Sequence, residues 1–480
     1  MMPMRSAAPA LPVCVAPDLL KRFAAIVGDR YAVTDAQAQE PYLIEMRDLY
    51  RGHTPLVLRP GSVDEVSAIL KLANETRTAI VPQGGNTGLV GGQISHNGEI
   101  VLSLNRLDRI RDIDPTSNTI TCDAGVTLQR AREAAADVDR LYPLLLPSEG
   151  SCTIGGNLST NAGGTTALAY GIARAHAMGL EVVLADGRVL NNLNKLKKDN
   201  TGYDLKNLFI GAEGTLGIIT AAVIKLLPRP RSVETAFVGL SSPQAALDLL
   251  GVATDMTGGG VTSFEIMMRL GIDGVLKHAA GTRDPLADRY PWYVLMELSS
   301  QARSGLREIM EEILAAGLEK GLIADAAMAE SLEQAKGFWR IREMFGEVQR
   351  QMGGSIKHDI SVPVAAVPAF LAEADAAVKA LIPDAIPLSF GHVGDGNIHY
   401  NVMQPPGSDK AEFLKRWDEV NAVVFAVVLR HAGSISAEHG VGVMKRDLLP
   451  DVKDKVAVEL MRSLKKTLDP NGILNPGKVL

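Results

Sequence analysis

Cysteine is scarce in this sequence, with three in 480 residues and no CxxC pair, which argues against resident thiolate-zinc and iron–sulfur sites and favours a reducing compartment. No run approaches the roughly 20 apolar residues of a membrane span. Residues 1–17 carry one arginine and only a short apolar run interrupted by proline, which makes a poor signal peptide. These absences predict a cytoplasmic protein without a membrane span.

Blocks of basic residues are also missing, and the net charge is −6, so a nucleic-acid surface is not expected. The GxGxxG fingerprint of nicotinamide-binding folds does not occur. Residues Gly472–Val479 imitate a phosphate-binding loop as far as Gly-Lys, but Val479 follows where Ser or Thr is required. The length of 480 residues indicates two or three domains.

The pattern of predicted strands, helices and glycine-rich loops changes near residue 230. Residues 55–230 alternate short apolar strands with helices and long glycine-rich connections, and Pro228 and Pro230 mark a boundary. From 231 to about 430, longer alanine-rich helices separate the strands, which predicts a sheet covered by helices. The last 50 residues end in a helix, about 453–468, and an irregular tail.

Three glycine-rich loops lie within the first of these regions, at 84–92, 147–164 and 211–217. The first places five glycines in nine residues directly after a strand, so that backbone N–H groups can converge on an anion without hindrance from Cβ atoms. A single loop of this kind is often only a tight turn. Three of them together favour a large phosphate-bearing cofactor.

The segment FGHVGDGNIHYNV, residues 390–402, contains two histidines, His392 and His399, on either side of a turn rich in Gly and Asp. Alternation in the following strand places His399 and Asn401 on one face, and the glycine-rich turn can fold His392 back beside His399. Two neutral imidazoles form half a metal site, and Glu438 with His439 offers a carboxylate and a third imidazole. The alternative from spacing alone is a set of partly buried histidines bonded to the backbone.

The glycine loops, the string at 197–220 and the tail LDPNGILNPGK closely resemble FAD-dependent dehydrogenases of the vanillyl-alcohol oxidase superfamily, and in particular the D-2-hydroxyglutarate and D-lactate dehydrogenases. The resemblance runs from about residue 40 onward. It implies an α+β fold: a PCMH-type FAD-binding domain of two α/β subdomains, and an α+β cap domain with a helix-covered antiparallel sheet. The expected division is an N-terminal segment 1–50, an FAD domain 51–230, a substrate and metal domain 231–440, and a segment 441–480 that returns to the FAD domain.

The same resemblance implies which residues hold FAD. Those expected around the pyrophosphate, the flavin and the adenine are Pro82, Gly84, Gly85, Asn86, Thr87, Gly88, Glu149, Gly150, Thr153, Gly156, Ser159, Asn161, Gly214, Ile218, Ile219 and Asn475. Relatives that bind flavin covalently often use a histidine in the first loop. This loop offers Asn86 instead, so non-covalent FAD is expected.

For the metal, the resemblance implies a divalent ion, usually zinc, held by His392, His399 and Glu438; the ligand types also suit Mn, Fe or Co. His439 is the expected general base, because an imidazole titrates near neutrality. Asn401, Arg342 and Lys357 are expected to bind the substrate carboxylates. The hydroxyl residue expected one helical turn after Arg342 is Gly346, which favours a looser grip on a distal carboxylate.

The predicted reaction is oxidation of D-2-hydroxyglutarate by hydride transfer to flavin N5. The alternatives are a D-lactate or broad D-2-hydroxy acid dehydrogenase and a non-catalytic flavoprotein subunit. The resemblance further implies an electron-transfer flavoprotein or a quinone as the electron acceptor, and a homodimer.

Overall fold

The computed structural model describes residues 15–480, so the predictions for the N-terminal segment and Cys14 lie in part outside the described residues. Two compact units make up this part of the chain. We call them the N/C unit, formed by 15–163, Ile172–Pro228 and Glu438–Leu480, and the central unit, formed by Gly164–Gly171 and Arg229–Ala437. No helix among the described residues is long and apolar enough to cross a membrane.

The N/C unit contains a four-stranded sheet and a five-stranded sheet. The strands of the first are β1 (Ala32–Val33), β2 (Val57–Leu58), β3 (Ile80–Gln83) and β4 (Ile100–Ser103), in the order β1-β2-β4-β3. Strand β4 runs parallel to both β2 and β3. A helix, Val63–Thr76, makes the crossover, and Ser62 caps it by accepting a hydrogen bond from the amide of Glu65.

The second sheet of the N/C unit is antiparallel and has the order β5-β6-β10-β8-β9. The remaining strands of the unit are β5 (Ile110–Asp114), β6 (Thr119–Asp123), β7 (Arg140–Leu141), β8 (Ala177–Val183), β9 (Val189–Asn192), β10 (Ile218–Lys225) and β11 (Leu227–Pro228). Strands β7 and β11 form a separate pair. The hairpin of β8 and β9 turns at Asp186-Gly187, as its sequence predicts.

Helices and two apolar cores complete this unit. The other α-helices are Pro17–Val27, Ala36–Leu43, Leu128–Asp137, Ile154–Ser159, Ala173–His176, Lys206–Phe209, Leu449–Val452 and Lys455–Leu468, with 3-10 turns at Asp29–Tyr31 and Arg446–Leu448. One core lies around Ile80 and Leu102, and the other around Ile120 and Val182. The C-terminal tail joins the first core, because Leu474 bridges to Ile80 beside β3.

The central unit is built on one seven-stranded antiparallel sheet of order β15-β12-β14-β13-β17-β18-β16. Its strands are β12 (Ser232–Leu240), β13 (Val261–Met268), β14 (Trp292–Ser300), β15 (Ile323–Met328), β16 (Ser355–Ser361), β17 (Ile386–His392) and β18 (Asn397–Met403). Its helices are Ala167–Tyr170, Pro243–Thr257, Arg269–His278, Leu306–Glu319, Leu332–Met352, Val367–Leu381, Lys410–Lys415 and Trp417–Arg430, with 3-10 turns at Val364–Ala366 and Val393–Asp395.

The helix Leu332–Met352 positions the candidate site. Its Phe338, Ile341 and Phe345 are buried in one apolar cluster with Leu388 and Phe390 of β17. Burial of such side chains contributes roughly 1.5–3 kcal/mol each, so the helix is held firmly over this face of the sheet. Polar side chains on the same helix and on the facing strands are therefore brought together beneath it.

Candidate functional site

The two histidines of the hairpin lie side by side in the central unit. Strand β17 ends at His392, a 3-10 turn and Gly396 (φ +81°) reverse the chain, and β18 brings back His399. The imidazole centroids are 5.5 Å apart and the rings nearly perpendicular, at 78°. One nitrogen of each ring lies within 4.8 Å of the other, a spacing at which one metal ion can be bound by both.

A buried carboxylate holds the first imidazole. Glu265 of β13 lies opposite His392 in the strand register, is fully buried, and accepts a hydrogen bond from His392 Nδ1 at 2.6 Å. Its other oxygen accepts from Arg342 Nε at 2.7 Å. Burial by itself raises the pKa of the Glu265 carboxyl, but His392 and Arg342 together hold that pKa well below its usual range.

The second imidazole faces another carboxylate. His399 lies opposite Asp359 of β16, and its Nδ1 is 3.9 Å from Asp359 Oδ1. Asn397 donates to the same oxygen at 3.0 Å, which fixes the carboxylate in place. Nδ1 of each imidazole is therefore turned toward an acidic group. This arrangement is typical of histidines whose Nε2 binds a metal, so the residues present fit a divalent ion.

The three residues predicted to bind substrate lie on the same face of the central unit. Arg342 is 7% exposed, and its guanidinium carbon lies 4.9 Å from the centroid of the Phe390 ring. Lys357 donates from Nζ to the carbonyl oxygen of Gly346 at 3.2 Å. Asn401 is opposite Lys357 in the register and donates to Gln349 at 2.9 Å. The structure brings these residues together with the two histidines around one helix.

The glycine loops of the N/C unit pack against one another. A Cβ atom added at Gly85 would overlap the carbonyl oxygen of Ser151, and one at Gly84 would overlap the Thr153 hydroxyl. The first loop therefore approaches the second through bare backbone, which only glycine permits. Thr153 in turn caps the short helix Ile154–Ser159. Bare backbone N–H groups can bind an anion, so the residue types of these loops are compatible with the phosphates of a dinucleotide.

The third loop and the C-terminal tail close the same region. Gly214 approaches Pro82 so closely that a Cβ would overlap the proline ring. Asn475 (φ +44°) donates to the carbonyl oxygens of Gly92 and Glu213 at 3.0 and 2.8 Å. The side chain of Asn475 thus ties the end of the first loop to the third loop.

The other residues expected at FAD occupy several environments. Asn86 donates to the carbonyl oxygens of Pro41 and Ile44, and Glu149 forms an ion pair with Arg132. Ile218 and Ile219 are buried in the two cores, so only their backbone can face a ligand. The remaining members lie in or directly after the first two loops: Thr87, Gly88, Gly150, Gly156, Ser159 and Asn161.

Glu438 and His439 begin the last segment of the N/C unit. A Cβ at Gly163, in the second glycine loop, would lie 3.0 Å from Glu438 Oε1. Directly after His439, a Cβ at Gly440 would lie 2.6 Å from Glu213 Oε1, and Glu213 accepts hydrogen bonds from the amides of Val441 and Gly442. Both residues therefore lie among the glycine loops of the N/C unit.

Comparison with known proteins identifies the family. Residues 229–479 match the family model described as FAD linked oxidases, C-terminal domain, and residues 54–192 match the one described as FAD binding domain. The chain belongs to the FAD-linked oxidase family. A protein of Oryza sativa subsp. indica named probable D-2-hydroxyglutarate dehydrogenase, mitochondrial, is 40% identical over 464 residues, 96% of this chain and 82% of that protein. A Schizosaccharomyces pombe protein named putative D-lactate dehydrogenase, mitochondrial, is 37% identical over 458 residues, 93% of this chain and 85% of that protein.

The fold of this FAD-linked oxidase is shared with more distant flavoproteins. The crystal structure of p-cresol methylhydroxylase superimposes with a TM-score of 0.77 over 98% of each chain at 17% identity. The predicted α+β fold, with a PCMH-type FAD-binding domain and an antiparallel sheet covered by helices, is confirmed. The predictions of FAD as cofactor and of an FAD-dependent D-2-hydroxy acid dehydrogenase are also confirmed.

Two residues of the site were missed from the sequence. Glu265 lies in the strand VTSFEIMM, where a lone charge within an apolar run was a usable sign of a buried, paired carboxylate. Gln349 is 1% exposed and lies two helical turns after Arg342, a spacing that places both on one face. Neither belongs to a recognisable short motif.

Proposed function

We propose that this protein oxidises D-2-hydroxyglutarate to 2-oxoglutarate, using FAD and a bound divalent metal, most simply Zn²⁺. The observation that carries the proposal is the paired imidazoles of His392 and His399, each turned at Nδ1 toward a buried acidic group. The similarity to proteins named D-2-hydroxyglutarate dehydrogenase supports the substrate. When bound, FAD accepts the hydride from C2 of the substrate at flavin N5.

Glu438 is proposed as the third metal ligand. The amide of Ala437, the preceding residue, donates to the carbonyl oxygen of Asp359 at 3.3 Å, and Asp359 lies opposite His399. Since consecutive Cα atoms are about 3.8 Å apart, the backbone of Glu438 leaves the central unit close to β16, the edge strand that carries Asp359 and pairs with the strand of His399. When bound, the metal polarises the substrate hydroxyl and favours loss of its proton.

His439 is the proposed general base, because it follows Glu438 and an unperturbed imidazole titrates near pH 6.5. Its place among the glycine loops of the N/C unit supports a role beside the flavin. Arg342 and Lys357 are proposed to bind the distal carboxylate, and Asn401 the carboxylate next to C2. Arg342 belongs to the helix Leu332–Met352, and Lys357 and Asn401 each bond a residue of that helix.

FAD is proposed to be non-covalently bound, since Asn86 stands in the first loop and its amide bonds backbone carbonyls. An electron-transfer flavoprotein or a quinone is the proposed acceptor of the electrons that the bound cofactor would release, and a homodimer is the proposed assembly. A cytoplasmic location stays a prediction, whereas relatives from rice and fission yeast carry "mitochondrial" in their names.

A substrate screen tests this function. Purified protein is assayed with D-2-hydroxyglutarate, L-2-hydroxyglutarate and D-lactate, using a dye as electron acceptor, before and after treatment with a chelator. We expect the highest kcat/KM with D-2-hydroxyglutarate, loss of turnover after chelation, and recovery on adding Zn²⁺ or Mn²⁺. Turnover that survives complete removal of metal would refute the metal-dependent mechanism.

A second candidate is a D-lactate or broad D-2-hydroxy acid dehydrogenase. It is favoured by Gly346, which leaves the helix without a side chain one turn after Arg342; a Cβ there would have no heavy atom within 4 Å. The similarity to a protein named putative D-lactate dehydrogenase also supports it. Equal kcat/KM for D-lactate and D-2-hydroxyglutarate in the same screen would favour this candidate. Purified protein without yellow flavin would instead favour a non-catalytic subunit.

A further inference from the structure

The carboxylate of Glu265 connects two groups of the candidate site. Among the described residues, it alone bonds a predicted metal ligand through one oxygen and a predicted substrate anchor through the other. One oxygen accepts from His392 Nδ1 at 2.6 Å and the other from Arg342 Nε at 2.7 Å. We propose that Glu265 is a positioning residue that sets the orientation of both groups. The inference rests on the proposed function, because it takes His392 as a metal ligand and Arg342 as a substrate anchor.

The backbone fixes Glu265 before its side chain makes either bond. It lies in the centre of β13, which pairs with β14 on one side and with β17 on the other, and it is opposite His392 in the second pairing. The residue is completely buried. Since each oxygen has a different partner, the carboxylate cannot rotate without losing one charge-assisted hydrogen bond, and such bonds are worth about 1.5–3 kcal/mol.

The bond to His392 selects one tautomer. A carboxylate accepts hydrogen bonds, so Nδ1 of the imidazole carries the proton and Nε2 keeps its lone pair. Nε2 is then the atom that can bind a metal, and the ring is held in one orientation. Without Glu265, the ring can rotate and the proton can move to Nε2, which would block the metal-binding atom.

The bond to Arg342 orients the guanidinium in the same way. Glu265 uses Nε, and the flat group lies near the Phe390 ring, 4.9 Å from its centroid to the guanidinium carbon. The edge formed by Nη1 and Nη2 therefore points to a different side from Glu265. That edge carries the parallel donors that bind a carboxylate through two hydrogen bonds. One buried side chain thus sets the separation between the metal and the distal carboxylate.

The test compares Glu265→Gln and Glu265→Asp with wild type and with Glu297→Gln. Glu297 is a matched control: it is a partly buried glutamate on the adjacent strand β14, and it accepts a hydrogen bond from Trp339 of the same helix at 2.9 Å. Zn²⁺ affinity is measured on the full FAD-loaded chain by competition with a fluorescent chelator. The His392 tautomer is measured from the nitrogen NMR shifts of ¹⁵N-histidine-labelled protein, assigned with His392→Gln.

We expect Glu265→Gln to weaken Zn²⁺ binding by about 10–100-fold, as loss of such a partner typically does. The His392 signal should shift away from the pure Nδ1–H tautomer. KM should rise more for D-2-hydroxyglutarate than for D-lactate, while Glu297→Gln leaves all of these values unchanged. Glu265→Asp keeps the charge on a shorter arm and should restore part of the Zn²⁺ affinity.

Unchanged Zn²⁺ affinity and an unchanged His392 tautomer in Glu265→Gln would overturn the proposal. If that variant does not fold, Glu265→Asp decides, because wild-type affinity together with a wild-type KM for the dicarboxylate would overturn it equally. Failure of the proposed function looks different. Wild type would then not oxidise D-2-hydroxyglutarate, whereas the effect of Glu265→Gln on Zn²⁺ binding and on the tautomer would persist.

Discussion

Lys357 donates from its Nζ to the carbonyl oxygen of Gly346 at 3.2 Å. The bond joins strand β16 to the middle of the helix Leu332–Met352, one turn after Arg342. A cation therefore lies beside a helical position that has no side chain and has room for one, since no heavy atom lies within 4 Å of a Cβ built at Gly346. This position offers a direct test of substrate choice.

Gly346→Thr should raise kcat/KM for D-2-hydroxyglutarate relative to D-lactate. The new hydroxyl can bind the distal carboxylate, and one hydrogen bond to a charged group, at about 1.5 kcal/mol, corresponds to roughly tenfold. Steady-state kinetics on both acids measures the ratio. Gly337→Thr is the control, because Gly337 lies in the same helix and is equally open. If the ratio of the two kcat/KM values rises in neither variant, or equally in both, then Gly346 does not lie beside the distal carboxylate of the substrate.

His399→Ala should abolish metal binding and lower kcat/KM by more than about 100-fold, which exceeds the usual cost of losing an outer-shell partner. Elemental analysis gives the metal content, and dye-coupled kinetics gives the rate. His431→Ala is the control, since this half-buried histidine bonds Glu373 at 2.8 Å and has no proposed part in the site. Full metal content in the His399 variant would exclude it as a ligand.

Gly85→Ala should expel FAD from the purified protein. The added methyl group would overlap the carbonyl oxygen of Ser151, so the first two glycine loops must separate. The ratio of flavin to protein absorbance measures the loss. Gly251→Ala is the control, because Gly251 lies in the helix Pro243–Thr257 of the central unit and a Cβ built there meets no described heavy atom within 4 Å. Normal flavin content in the Gly85 variant would argue against FAD binding by the first two glycine loops.

Glu297→Gln should make stability less dependent on pH. Burial raises the pKa of the Glu297 carboxyl, although Trp339 donates to it. The folded protein therefore keeps a proton that the unfolded chain loses above about pH 4.3, and the free energy of unfolding falls as pH rises through this window. Glutamine cannot ionise, so the variant lacks this loss of stability. The difference in Tm, variant minus wild type, should therefore be larger at pH 8 than at pH 5.

Thermal unfolding followed by circular dichroism at both pH values checks this prediction. The exposed Glu311, on the helix Leu306–Glu319, provides the control as Glu311→Gln. A Tm difference between variant and wild type that is the same at pH 5 and pH 8 would show that Glu297 ionises normally in the folded protein.

Local features of the fold were predictable from the sequence. Ser242 with Pro243 marks the start of a helix, and the amide of Ala245 does donate to Ser242. The hairpin of His392 and His399 followed from strand alternation around a glycine-rich turn, and the two imidazoles are adjacent. Such features depend on residues close in the chain, whose geometry is set by backbone sterics and hydrogen bonding.

Long-range pairings could not be predicted in the same way. Glu265 meets His392 across 127 residues, and this contact depends on the register between β13 and β17. The register is decided by how apolar side chains pack over the whole sheet, whose strand order does not follow the chain. The same holds for Asn401, whose amide bonds Gln349 of the covering helix rather than standing alone on its strand.

Synthesis of the N/C unit is completed last, because its final segment, Glu438–Leu480, follows the central unit in the chain. All the strands of the central unit have been translated once Ala437 is added, so its sheet can form while synthesis continues. Strand β3 and the first glycine loop still lack Leu474 and Asn475 at that moment. We therefore expect FAD to bind late in biogenesis, after the C-terminal tail has been synthesised and has packed against strand β3.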